Sequence, residues 1–531
     1  MPKARTIPGL LAEITARFPE RTALIAGDQR VTYSQLAEEV ARFSRALLAS
    51  GIQPGDRVAI LMGNRPEWIV AALATCSIGG TMLGVNTWST PRELEYILSH
   101  SEATMLVSCD SYLNRDYVEI IRSIAPRRER LPKLREIVLL GEVASGFVPF
   151  ASFLDRADDI DETRLHAARA AVTQHDVGYL LYTSGSTSMP KGVQILHGPL
   201  IENMWHIGQR MRVTEHDVLW LAVSLFWGLG CENALFNVLT HGATMVLQES
   251  FEPGEALRLI ETHRCTLFYA MSNMAQSDVD HPERANHDLT SLRSGLTTGT
   301  PEQIRRVIDM GPARIANVYG MTEGYGNSNV TDDDDPIELR LTSVGRPLPG
   351  IEQRIVDPNT DLELPSGQVG EIRMRGRITI GYFKDPAQTA AAFDADGFFK
   401  TGDLGHKDEA GNLYFHCRLK EMIKTGGINV SPAEVEEILM RHPDILQAYC
   451  IGVPDPAREE LLVALIVPRD GARLHPESLT HYCRTHLAVY KVPRKFRFAA
   501  AEELPMTATG KLKKNALAEM FFLPRDLLEV G

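Results

Sequence analysis

The sequence predicts an α/β protein: a large N-terminal domain of layered α/β subdomains plus a β-rich subdomain, followed by a small α+β C-terminal domain. Three observations carry this expectation. Apolar runs of strand length alternate with helix-length amphipathic segments up to about residue 330, the pattern of parallel sheets covered by helices. Between about 340 and 416, Gly and Pro punctuate short alternating segments, which predicts β structure with tight turns. Beyond Lys420 a helix-start signature introduces two further strand-like runs, enough for a small domain of about one hundred residues. At 531 residues the chain is too long for one ordinary core.

The elements follow in order. Thr32 to Ser50 carries Leu36, Val40, Phe43 and Leu47 on one stripe of a helix. Val58 to Met62, Met105 to Cys109 and Ile137 to Leu140 are buried-strand runs. Trp68 to Val85 is the longest weakly polar stretch, but Thr75, Ser77, Gly79, Gly80, Thr81 and Gly84 interrupt it. It reads as a buried helix running into a strand, not a membrane span. Val177 to Leu181, Val218 to Leu225, Met245 to Leu247, Leu267 to Ala270 and Ile315 to Tyr319 continue the strand series. Ligands in such sheets gather beyond the carboxyl ends of the strands. The acidic run Asp332 to Asp335 reads as a solvated loop. Ser431-Pro432-Ala433-Glu434 has the form of a capping box, and the helix after it turns Val435, Ile438 and Leu439 inward. Ala448 to Val453 and Leu461 to Val467 are the strand runs of the last domain.

Composition narrows the function classes. Apolar residues make up 44% of the chain, which suits a globular protein. Acidic residues number 68 against 55 basic, a net charge of −13, so no nucleic-acid surface is expected. The seven cysteines show no C-x-x-C spacing, which argues against a zinc or redox motif and predicts reduced thiols and a cytoplasmic location. The N-terminus lacks the apolar core of a signal peptide.

The most informative segment is Tyr182-Thr183-Ser184-Gly185-Ser186-Thr187-Ser188-Met189-Pro190-Lys191-Gly192, into which the strand at Val177 empties. Glycines let backbone amides approach an anion, hydroxyls donate hydrogen bonds, and the lysine adds positive charge, so the loop suits a polyphosphate. It lacks the spacing of the common P-loop. Four further motifs follow: Tyr319-Gly320-Met321-Thr322-Glu323, Lys400-Thr401-Gly402-Asp403-Leu404, Arg418-Leu419-Lys420-Glu421-Met422-Ile423-Lys424-Thr425-Gly426-Gly427, and Pro505-Met506-Thr507-Ala508-Thr509-Gly510-Lys511. Five motifs in this order resemble those of the AMP-forming acyl-activating superfamily, which includes acyl-CoA synthetases, adenylation domains and beetle-type luciferases. Ser188 departs from the glycine usual in its loop.

The resemblance implies an ATP-dependent carboxylic acid:CoA ligase using ATP, Mg2+ and CoA. An acyl-adenylate forms with release of pyrophosphate, and the CoA thiol then displaces AMP. An amine, an amino acid or a carrier-protein thiol stands as the alternative acceptor. Thr183, Ser184, Gly185, Ser186, Thr187 and Lys191 would hold phosphate. Tyr319, Gly320 and the turn Gly299-Thr300-Pro301 would line the adenine, and Thr322 would touch phosphate. Glu323 would hold Mg2+, an ion that takes one or two carboxylates and completes its shell with water and phosphate. Asp403 would accept from the ribose hydroxyls, and Arg418 would add charge near the nucleotide. Lys511 would neutralise the charge that builds between two anionic reactants. Lys420 would be the hinge about which a mobile C-terminal domain, 420–531, turns against the N-terminal domain, 1–419. Gly426 and Gly427 would then line the pantetheine path. The acid pocket is expected around Phe226 and Trp227, where Trp227 replaces a histidine frequent in relatives, with His206, Cys231, Asn273 and Asn327 nearby. An indole there suits a ring or a medium-length acyl group.

Overall fold

Two strand-rich layers organise the first of two compact units into which the chain divides. The structure, a computed structural model, describes the chain except residues 125–129, 143, 184–189, 426–427, 456–458, 488, 507–511 and 524–531, and gives only the backbone of 424, 428, 429, 459 and 515. The first unit comprises Met1–Glu352 and Arg375–Phe399. The second comprises Gln353–Met374 and Lys400–Gly531, so Lys420 lies inside it.

One sheet of the first unit has seven strands, in the order Lys191–Leu196, Val177–Thr183, Thr81–Gly84, Arg57–Leu61, Ala103–Cys109, Glu136–Leu140 and Val148–Pro149. Its pairings are parallel except the hairpin between Val177–Thr183 and Lys191–Leu196. Every residue of Ala103–Cys109 is buried, as a parallel strand covered on both faces must be. The other sheet has eight strands, and its parallel centre runs Arg314–Tyr319, Ser294–Thr297, Leu267–Tyr269, Val218–Leu221, Thr244–Leu247 and Thr22–Ala26. Antiparallel strands close both of its edges.

The helix Tyr33–Ala49 forms where the periodicity predicts it, with Leu36, Val40, Phe43 and Leu47 fully buried. Thr32 caps it: the Gln35 amide donates to Thr32 Oγ1 at 3.2 Å, and Gln35 Oε1 accepts from the Thr32 amide at 2.9 Å. Pro66–Ser77 is buried from Trp68 to its end and leads into the strand Thr81–Gly84. Among the described residues no helix is long and apolar enough to cross a membrane.

Three local expectations are corrected. The strand predicted to Leu225 stops at Leu221, because Asn64 takes the backbone beyond it. Its Nδ2 donates to the carbonyls of Val223 and Gln248 at 3.1 and 3.2 Å, and its Oδ1 accepts from the Leu225 amide at 2.8 Å. The acidic run is not a solvated loop. Arg212 Nη2 bonds Asp332 and Asp334 at 3.1 and 2.6 Å, while Asp333 is buried, accepts from Ser294 Oγ at 2.8 Å and lies 3.6 Å from Arg293 Nη1. Ser431 stands at the N-cap of Pro432–Met440 but makes no side-chain cap bond, and Glu434 instead pairs with Lys491.

In the second unit Glu459–Pro468 is the spine of a five-stranded sheet, antiparallel to Ile445–Asp455 and parallel to Lys495–Phe498. Alternation along it separates two cores: Leu462, Ala464 and Ile466 face Val435 and Leu479, whereas Val463, Leu465 and Val467 face Leu504 and Leu517. The β-rich segment forms a four-stranded sheet in sequential order, Ile351–Val356, Gly370–Gly376, Phe399–Lys407 and Leu413–Arg418. All seven cysteines are buried free thiols.

Candidate active site

The hairpin Val177–Thr183/Lys191–Leu196 holds both rims of the phosphate-type loop, with Thr183 and Lys191 as its last cross-strand pair. Ser184, Gly185, Ser186 and Thr187 lie outside the described residues. Lys191 Nζ stands 5.0 Å from the centre of the Tyr382 ring, and the Tyr382 hydroxyl donates to Glu323 Oε1 at 2.9 Å. Burial and the charge of Glu323 push the Tyr382 phenol upward, so it stays a donor. Lysine, phenol and carboxylate therefore form one array beyond the carboxyl ends of two strands. Tyr382 reaches it because its segment docks on the hairpin: Tyr382 bridges Val193, and the Phe383 amide donates to the Gly192 carbonyl at 2.8 Å. A cavity of about 500 Å³, lined by Arg57, Thr81, His175 and Val177 among others, opens at the opposite, amino ends of the strands.

Glu323 sits in a single 3-10 turn, Thr322–Gly324, just past the strand Arg314–Tyr319. The chain folds back sharply there. A Cβ on Gly320 would lie 2.1 Å from the Gly326 carbonyl oxygen and 2.4 Å from Asn327 Cα, so only glycine fits. Asn203 pins the return by donating from Nδ2 to the carbonyls of Tyr325 and Asn327, both at 2.8 Å. The Ser328 amide closes it on the Tyr319 carbonyl at 2.9 Å. Thr379 fixes Glu323 itself, its amide donating to the Glu323 carbonyl at 2.7 Å. The result is a half-buried carboxylate of fixed orientation, the hard oxygen donor that Mg2+ takes from a protein when phosphate supplies the rest.

Gly299-Thr300-Pro301 starts the helix Pro301–Met310. The Thr300 hydroxyl accepts from the Gln303 amide at 3.3 Å, and Pro301 is the first helical residue. The Thr300 amide donates to Gln303 Oε1 and its carbonyl accepts from the Ile304 amide, both at 3.0 Å, so the helix start uses the hydroxyl and the backbone of Thr300 alike.

Phe226 and Trp227 form an aromatic cluster with Trp88. Ring centres lie 5.6 Å apart for Trp88–Phe226, 5.7 Å for Trp88–Trp227 and 5.2 Å for Phe226–Trp227. Asn327 is buried and bonded to the Asn233 amide. His206 sits in the helix His197–Arg210 beside Arg377, Glu202 and Arg210, and burial, followed by Arg377, lowers its basicity. Asn273 is exposed on the first turn of Ser272–Val279, outside the buried cluster. Sequence reasoning missed Trp88, Tyr382 and a fully buried carboxyl, Glu232, on the turn that follows Trp227. A single charge in the otherwise uncharged stretch Val218 to Thr240 was the available signal for the last.

In the second unit Asp403 and Arg418 face each other across two strands, with Arg418 Nε 3.2 Å from Asp403 Oδ1. Asp403 is buried and Arg418 exposed. Gly402 at φ +67 turns the chain, its amide donates to Glu371 Oε1 at 3.2 Å, and the Asp403 amide donates to Thr401 Oγ1 at 3.0 Å. Lys420 lies exposed in the turn Leu419–Glu421. Gly426, Gly427 and Lys511 lie outside the described residues.

Comparison with known proteins gives the family. The AMP-binding enzyme family matches residues 11–383, and the AMP-binding enzyme C-terminal domain matches 434–511. The methyl-dioxo-octahydroindenyl-propanoyl:CoA ligase of Mycobacterium tuberculosis is 35% identical over 97% of this chain and 99% of its own. Among solved structures, the anthranilate CoA ligase AuaEII in complex with anthranoyl-AMP superposes with a TM-score of 0.86 at 26% identity, covering 97% of this chain and 96% of its own. The amide bond synthetase McbA from Marinactinospora thermotolerans does so with a TM-score of 0.81 at 28% identity, covering 97% and 100%. The chain carrying the Lys191–Tyr382–Glu323 array thus belongs to the AMP-binding enzyme family.

Proposed function

We propose that the protein is an ATP-dependent carboxylic acid:CoA ligase that works in two half-reactions. In the first, the acid carboxylate attacks the α-phosphate of ATP, giving acyl-adenylate and pyrophosphate. In the second, the CoA thiol attacks the acyl carbon, giving the thioester and AMP. The observation that carries the reading is the array in which Tyr382 links Lys191 to Glu323 beside the loop motif. Mg2+ held at Glu323 supplies charge neutralisation for the phosphates. The chain does the rest: Lys191 and the loop from Thr183 to Thr187 hold phosphate oxygens, Thr322 adds a hydroxyl, and Tyr319 packs beside the base. Asp403 takes the ribose hydroxyls, with Arg418 alongside. The Trp88–Phe226–Trp227 cluster favours a ring-bearing or medium-length acid. Seven reduced thiols support a cytoplasmic location.

Lys511 neutralises charge in the first step and leaves when the C-terminal domain turns about Lys420. Gly426 and Gly427 then line the thiol path. Lys511→Ala is therefore expected to slow adenylate formation by roughly two to three decades, while thioester formation from supplied acyl-adenylate stays near the parent rate. Lys420→Pro, by fixing φ, hinders the second step more than the first. Equal slowing of both half-reactions by Lys511→Ala would refute the alternation. The likeness to an amide bond synthetase favours a second reading, transfer of the same adenylate to an amine. Mass spectrometry of products formed with CoA, amines and carrier protein side by side decides the acceptor.

A further inference from the structure

Glu232 is a buried carboxyl near the site that the two half-reactions leave without a task. It lies in a π-helical turn, Leu229–Ala234, a local widening that recurs at functional sites. The turn is hung from the aromatic cluster, since the amides of Gly230 and Cys231 both donate to the Trp227 carbonyl at 2.9 Å. Its side chain is wholly buried, and among the described residues neither carboxyl oxygen has a hydrogen-bond partner. One oxygen, Oε2, lies against the backbone of Gly228, with Gly326 further off. A Cβ on Gly228 would lie 2.3 Å from Oε2 and 3.9 Å from Thr322 Oγ1, and one on Gly326 would lie 4.0 Å from Oε2. The carboxyl therefore stands between the Trp227 end of the aromatic cluster and Thr322, against a glycine where any side chain would collide with it.

A buried carboxyl without a partner is destabilising and persists where a ligand completes it. Burial, reinforced by the nearby charge of Glu323, holds its pKa well above the ordinary carboxylate range. What it lacks is a donor, and a cationic donor above all.

We propose that Glu232 selects the acid: the preferred substrate carries a basic amino group whose N–H donors pair with this carboxylate. This rests on the acid-activating reading of the site. In the bound state the ammonium N–H groups donate to the Glu232 carboxyl oxygens, forming an ammonium–carboxylate pair. Glu232 is a specificity-determining residue in this scheme and takes no part in phosphoryl transfer.

The test uses the full-length enzyme with matched acids, hexanoate against 6-aminohexanoate, 3-phenylpropanoate against 3-amino-3-phenylpropanoate, and 3-methylbenzoate against 3-(aminomethyl)benzoate. Acid-dependent exchange of pyrophosphate into ATP gives kcat/KM for each. In the parent enzyme at least one amino acid is expected to exceed its match by on the order of 10- to 100-fold. Glu232→Leu is expected to reverse that preference by raising the match as it lowers the amino acid. Glu232→Gln keeps the shape and loses only the charge, so it abolishes the preference even if the leucine variant folds poorly. Exchange with no preference in any pair, or variants that change both members by one factor (the outcome if Glu232 were a second Mg2+ ligand), would overturn the proposal while leaving adenylation intact. No exchange with any acid would overturn adenylation itself, and this assignment with it.

Discussion

Tyr382 sets one ring between two opposite charges, with Lys191 over its face and Glu323 at its hydroxyl. Tyr382→Phe keeps the ring and deletes the donor. A hydrogen bond to a charged group contributes about 1.5–3 kcal/mol, so pyrophosphate exchange is expected to fall roughly ten- to a hundredfold, with a higher Mg2+ requirement. Glu323→Gln is expected to fall further, because a neutral amide loses the charge that holds the ion, and added acid will not restore it. A magnesium titration of both variants checks the order, and an unchanged titration for Glu323→Gln would remove it from the metal site. Glu323 was legible in the sequence because it follows Tyr319 in a recognisable motif. Tyr382 was not, since 59 residues separate it from Glu323 and a short bridge to Val193, with no periodicity of its own, brings it in. Glu232 was visible as the lone charge of an uncharged stretch, but its lack of a partner is a fact of three dimensions.

The site's elements owe their accuracy to one crowded reversal. Gly320→Ala forces a methyl against the Gly326 carbonyl oxygen, a contact with backbone that no side-chain rotation relieves. Overpacking of this kind costs about 1–3 kcal/mol. The variant is expected to unfold at lower denaturant and to lose exchange activity more than stability, because the reversal carries Thr322 and Glu323. Full activity would show that the turn tolerates displacement. Elements set by long hydrophobic runs, such as Ala103–Cys109 and Tyr33–Ala49, were readable because their pattern follows from burial on two faces or one. Elements ended by a distant side chain were not. The strand at Val218 stops for Asn64, and the Ser431 box fails because Lys491 takes Glu434. Both outcomes are tertiary competition for a local preference.

At the scale of the whole molecule, buried titratable groups pull stability in opposite directions with pH. Burial lowers His197 and His241 from 6.5 to about 4. Between those values the unfolded chain binds more protons, so their contribution is full above pH 6.5 and is lost as pH falls toward 4, by up to about 3 kcal/mol each. Asp278, also buried, is raised from 3.8 to about 8, so the folded chain holds its proton and stability falls as pH rises through that range. His197→Asn, which keeps an acceptor for the Ile7 amide, is expected to flatten the gain of stability from pH 4.5 to 6.5, and Asp278→Asn to relieve the loss toward pH 8. Urea unfolding across that range reads both slopes, and a variant whose slope matches the parent's would clear its residue of the effect. The division of the chain into an α/β part and a small α+β part was legible from changes of pattern. The grouping of Gln353–Met374 with the later residues was not, since contacts rather than composition decide it. The buried cysteines bear on the catalyst's own chemistry. An enzyme that hands acyl groups to a thiol meets that thiol, and its oxidised disulfide, at every turnover. With every sulfur buried, and burial pushing Cys109, Cys417 and Cys483 up to about 11, the folded protein offers no thiolate for exchange. Incubation with CoA disulfide is expected to leave the native mass unchanged and to add CoA only after denaturation, so the catalyst is insulated from covalent capture by its own co-substrate.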